Sequence, residues 1–229
     1  MAQAKTSDDM TLDEMIEVLA PKLPYHAAFD GWNEQSLFAA ADELGIDHDV
    51  AKLAYDSADL DAPNLPMKMM QSWICYVDAE MERRLPPAKL GKMKIRERIT
   101  ALLITRLEIA QPHREAQRRA ISLMALPGNV RISMKIGWRS ADHMWRLAGD
   151  TATDYNHYTK RAILSSIYTA ILLNFINDES ENFEDTRAFV DRRIENVMQF
   201  EKAKAGFLSR TENRPSLSRF IGRLRYPEG

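Results

Sequence analysis

Apolar positions recur three and four residues apart through almost the whole chain. Leu12, Met15, Ile16 and Leu19 follow a Thr11/Glu14 pair spaced as a capping box, which predicts a first helix. "NEQSLFAAADELG" predicts a second, opened by Asn33 and stopped by Gly45, and "IDHDVAKLAYD" a third behind Asp47. Met70, Ile74, Val77 and Met81 share one face of a helix predicted from about Pro66 to Leu85, where Pro86 and Pro87 end it. Further helices are predicted from about Lys89 to Ala110, between Pro112 and Pro127, and over Val130–Leu147, Asp154–Ile176 and Glu184–Lys204. No stretch alternates with a period of two and β-branched enrichment, so the chain reads as all-α. Three segments are expected: a helix-turn-helix-like part over 1–65, a helical body over 66–206, and a linker with an amphipathic helix over 207–229.

Composition narrows the classes. The 229 residues are 45% hydrophobic and 28% charged, an ordinary soluble profile with enough apolar material for a core. The net charge of -2 gives no global pull towards nucleic acid. Charge is segregated, however. Glu34, Asp42, Glu43, Asp47, Asp49, Asp56 and Asp59 face a single Lys52 between Asp30 and Asp61, whereas Arg83 to Arg119 is basic. "DELGIDHDVAKLAYD" has the turn and second helix of a helix-turn-helix, but its acids would repel phosphates, so nucleic acid is not expected as a partner. Cys75 is the single cysteine and reads as a buried structural thiol in a reducing compartment. "MAQAKTSDDM" lacks the apolar core of a signal peptide, and the longest apolar run, "AILLNFI", is far below the about 20 residues of a membrane span.

The densest chemistry lies in "DTATDYNHYTKRAIL". Asp154 and His157 share a helix face, yet a di-iron bundle needs two Glu-x-x-His motifs and two further glutamates, and the chain has one weak analogue. HExxH, CxxC, P-loop, GxSxG and GxGxxG patterns are absent, so no catalytic residue and no metal are assigned. Near the C-terminus, Leu217, Phe220, Ile221 and Leu224 form one helical face, with Arg219 and Arg223 off it. That pattern suits an interfacial membrane helix, and equally a helix packed on its own protein.

"WRLAGDTATDYNHYTKRAILSSIYTAILLNFINDESENFEDTRAFVDRRIENV" strongly resembles the COQ9 family of ubiquinone-biosynthesis proteins. The match runs through Trp145, Gly149, Asp150, Asp154, Asn156, Tyr158 to Arg161, Tyr168, Asp178, Ser180, Asp185, Thr186 and Phe189. A looser match covers "LPYHAAFDGWNEQSLFAAADELGI". The resemblance implies a TetR-like helical bundle, usually dimeric, with a vestigial helix-turn-helix. It implies a non-catalytic accessory protein that binds an isoprenoid lipid or quinone precursor and meets the membrane through the C-terminal helix. It implies presentation of that lipid to a quinone-modifying (COQ7-like) di-iron demethoxyubiquinone hydroxylase. Asp154, His157, Tyr158, Lys160 and Arg161 correspond to the docking patch for that hydroxylase, although the family commonly has Trp-Tyr where this chain has His157-Tyr158. The implied location is the inner face of the cell membrane, or the matrix side in a eukaryote.

The helix from Ala162 to Ile176 is apolar on nearly every side and is expected to be central. Leu164, Ile167, Ile171 and Phe175 on its face, with Met144, are the expected pocket residues, and Met124 and Met134 are candidate adaptable lining. Ordinary core packing is the competing reading for each of them. A TetR-like transcriptional regulator with a hydrophobic ligand is the alternative from another class.

Overall fold

The structure, a computed structural model, describes residues 10–151 and 155–212. Among these it has no strand and eleven α-helices: α1 Leu12–Leu19, α2 Leu23–Asp30, α3 Glu34–Leu44, α4 His48–Ser57, α5 Leu65–Arg84, α6 Pro87–Leu90, α7 Ile95–Ala110, α8 Arg114–Met124, α9 Val130–Leu147, α10 Tyr155–Phe175 and α11 Glu184–Glu212. The described residues up to Val190 form one compact unit, and those from Asp191, the later part of α11, a second.

The helix ends follow from their own residues. Thr11 Oγ1 accepts from Glu14 N at 3.3 Å while Glu14 accepts from Thr11 N at 2.9 Å, the reciprocal box that starts α1. Asn33, Asp47 and Asn64 cap α3, α4 and α5 by accepting from first-turn backbone N–H groups, without the reciprocal bond, and Gly45 ends α3 in the left-handed region at φ 66°. Two details depart from the sequence reading. α2 was not foreseen; it opens with Pro24 in its first turn and stops at Gly31, φ 84°. The helix expected from Lys89 is two, because the chain turns through Gly91 and restarts where Glu97 accepts from Lys94 N at 2.8 Å.

The N-terminal helices are fastened to the body. Trp32 Nε1 donates to Ala116 O on α8 at 2.9 Å. Tyr55 on α4 shares a 2.8 Å bond with Ser72 on α5, and Lys68 Nζ caps the C-terminal end of α4 at Tyr55 O, 2.7 Å. Behind them α5 packs on α7 and α9, and α9 on α10. The loop into α11 is organised by Asp178, which accepts from Ser180 N and Thr186 N, each at 2.8 Å. Burial opposes its charge, but these donors and the two hydroxyls prevail and lower its carboxyl pKa to about 2.

Candidate functional site: an apolar cavity and a tyrosine patch

α5, α7, α8, α9 and α10 do not close completely on one another. A cavity of about 400 Å³ remains between them, within the size range of small-molecule sites. α5 contributes Trp73, Ile74 and Val77; α8 contributes Gln117, Ile121 and Met124; α9 contributes Val130, Ser133, Met134, Ile136, Gly137 and Ser140. α10 adds Ser165, Tyr168, Thr169, Leu172 and Leu173. The space exists because facing positions are small. Ser133, Gly137 and Ser140 stand four and three residues apart on α9, opposite Ser165 and Thr169. A Cβ on Gly137 would come within 3.0 Å of Ser165 Oγ, so the glycine lets the two helices approach there.

One inner wall is polar. Arg106, only 2% exposed, donates to Tyr168 Oη at 3.1 Å and to Asp78, and its guanidinium lies 5.0 Å from the Tyr168 ring centroid. Its charge is thus neutralised inside the wall. At the other extreme, Val130, Met134 and Leu173, all of them lining, are exposed, as is Leu126 beside them. The cavity therefore has an apolar rim.

The residues expected to line the pocket sit elsewhere. Met144, Leu164, Ile171 and Phe175 are fully or almost fully buried and pack as solid core, and Ile167 is half-buried; none of the five lines the cavity. The open side of α10 is the neighbouring, more polar face. Met124 and Met134 do line it. Trp73, Ile74, Val77, Arg106 and Tyr168 had not been singled out for this role. The sequence signal for the space is the run of small residues Ser133, Gly137 and Ser140 at helical spacing on α9.

The patch is layered. Tyr158 is 62% exposed, with the His157 ring at 5.1 Å and Trp138 at 6.2 Å. Lys160 reaches Asp150 at 2.6 Å and lies 5.4 Å from the Trp145 ring centroid, while Trp145 Nε1 donates to Lys160 O at 3.0 Å. Arg161 is turned inward and 1% exposed. It donates to Asp142 at 2.5 Å, Asp150 at 3.0 Å and His157 O at 3.1 Å. It holds the backbone under Tyr158 rather than offering its own charge at the surface. Asp154 lies outside the described residues, as do Leu217, Arg219, Phe220, Ile221, Arg223 and Leu224.

Among the described residues no helix is long and apolar enough to cross a membrane, and no group of three or more His, Cys, Asp or Glu is placed to hold a metal. Cys75 is exposed rather than buried, at the mouth of a recess that residues of α5 and α9 line. The partial burial of its thiol still pushes its pKa up.

The fold is of the all-helical TetR-like class. The crystal structure of a TetR transcriptional regulator from Nitrosomonas europaea superposes with a TM-score of 0.63 at 19% identity, covering 82% of this chain and 99% of that one. Within that class, residues 130–201 match the COQ9 family model, and the resemblance to COQ9 proteins seen in the sequence is borne out. The chain is 32% identical over 171 residues to the rat ubiquinone biosynthesis protein COQ9, mitochondrial, covering 73% of this chain and 54% of that protein. The human protein of the same name is 30% identical over 171 residues, with 73% and 52% covered. A probable ubiquinone biosynthesis protein coq9 of Dictyostelium discoideum is 27% identical over 194 residues, with 82% and 61% covered. The chain spans about half the length of the curated mammalian relatives it matches.

Proposed function

We propose that this protein serves ubiquinone biosynthesis as a non-catalytic, lipid-binding accessory protein. It takes an isoprenoid quinone precursor from the membrane and presents it to a quinone-modifying hydroxylase. The observation that carries the reading is the cavity: apolar over most of its wall, walled by five helices and opening at an exposed apolar rim of Val130, Met134 and Leu173. The names of the COQ9 relatives supply the pathway, and their designation as mitochondrial favours the matrix side of the inner membrane if the source is eukaryotic. No DNA role is part of this reading, since α3 and α4 carry the acids Glu34, Asp42, Glu43, Asp49 and Asp56, which repel phosphates.

Incubated with anionic vesicles containing an isoprenoid quinone, the full-length protein extracts quinone into the soluble fraction. Removal of the residues after Phe207, with Leu217, Phe220, Ile221 and Leu224, sharply reduces both vesicle binding and extraction. Failure of the intact protein to extract any quinone contradicts the reading.

Tyr158 is the proposed hydroxylase anchor. It is exposed above a rigid ion network, the arrangement of an interface aromatic. Tyr158→Ala weakens hydroxylase binding by about thirtyfold, equivalent to about 2 kcal/mol, with an unchanged melting temperature. Unchanged capture of the hydroxylase in a pull-down removes Tyr158 from the interface.

A further inference from the structure

A second, polar recess of about 220 Å³ adjoins the apolar cavity, and the two share Ile74, Ile136 and Ser140. It lies between α5 and α9. Gln71, Ile74, Cys75 and Asp78 reach it at intervals of three and four residues from one helix, and Ile136, Arg139, Ser140 and His143 from the other.

Its charged groups are already matched. Arg106 is bound to Asp78, Arg139 to Asp61 at 3.0 Å, and Arg146 to Asp142 at 2.8 Å. What is unmatched is neutral. Gln71 is 2% exposed, yet neither its Nε2 nor its Oε1 has a hydrogen-bond partner. A buried amide with both ends unsatisfied is costly, and few native side chains are left so. Across the recess, His143 Nε2 also lacks a hydrogen bond; the Glu82 carboxylate stands 3.8 Å away. Burial pushes the His143 pKa down, which favours its neutral form.

We propose that this recess is a head-group subsite, in which the Gln71 amide donates to a carbonyl or ether oxygen and accepts from a hydroxyl of an uncharged lipid head whose tail fills the apolar cavity. The proposal rests on the lipid-binding reading and adds to it an orientation and a chemical class. An anionic or cationic head finds no unpaired countercharge among the recess groups just described, whereas a phenolic ring presents both an oxygen that accepts from Gln71 Nε2 and a hydroxyl that donates to Oε1, and a quinone ring presents the acceptor alone.

The test compares two probes on the full-length protein: ubiquinone with two isoprene units, and a saturated isoprenoid hydrocarbon of equal tail length. Affinities for both probes are read by isothermal titration calorimetry. The native protein binds the quinone about tenfold more tightly than the hydrocarbon. Gln71→Leu, with Gln71→Met as a second variant, abolishes that preference, leaves hydrocarbon binding unchanged, and does not lower the melting temperature, because it removes an unsatisfied amide. Variants that keep the full preference for quinone place the head elsewhere and overturn the proposal while leaving the cavity reading intact. If neither probe binds the native protein, both fail.

Discussion

Arg161→Ala lowers the stability of the fold by about 3 kcal/mol, the lower end of the range for breaking a buried ion pair. The guanidinium is 1% exposed and serves Asp142, Asp150 and the His157 carbonyl at once. Its removal strands acceptors that water reaches poorly. The cost stays at the lower end because each carboxylate retains one cation: Arg146 at 2.8 Å for Asp142 and Lys160 at 2.6 Å for Asp150. For a domain whose total stability is commonly about 5–15 kcal/mol, that loss is readily seen in urea denaturation. Lys160→Ala, which removes a side chain 40% exposed, costs about 1 kcal/mol or less. Equal costs for the two substitutions would refute the layered patch.

The same network has a pH signature. Burial opposes the charge of Asp150, but its bonds to Lys160 and Arg161 prevail and hold its carboxyl below the usual range. A carboxyl depressed in the folded state contributes stability that is fully present above its unfolded pKa and is lost as pH falls through the folded value. The patch therefore loosens in acid and not at neutral pH.

The second large effect is steric. Ile121 is half-buried and lines the cavity from α8. In Ile121→Trp the indole has open space to enter, so the substitution fills the cavity without overpacking a closed core. Lipid occupancy falls at least about tenfold, equivalent to about 1.4 kcal/mol, while the melting temperature of the lipid-free protein holds or rises. A variant that unfolds would mean that the space is too small to accept a side chain, let alone a lipid.

How far the sequence could be read depended on the range of the interactions. The caps at Thr11, Asn33 and Asp47 and the stop at Gly45 are local, made within a few residues, and the structure shows each of them. α2 was missed because the Pro24 that opens it also reads as a loop residue. The long helix around Lys89 was merged because no proline marks the break at Gly91. The cavity depends on five helices at once. Apolar residues on α10 mark what is buried, and here Leu164, Ile171 and Phe175 are buried solidly, while the void opens beside Ser133, Ser140, Ser165 and Thr169, whose short side chains leave volume unfilled. Arg161 shows the same limit. Its identity was recognised through the family pattern, but its inward turn depends on Asp142, nineteen residues earlier on α9.

The claim that this cavity holds a lipid is tested most directly by native mass spectrometry of the full-length protein, purified gently beside Ile121→Trp. The native protein is expected to carry an added mass, which solvent extraction identifies as an isoprenoid or quinone-like molecule, and the variant to have lost it while keeping its fold. A native protein that repeatedly flies at its bare mass, or a variant that retains the same adduct, would contradict it.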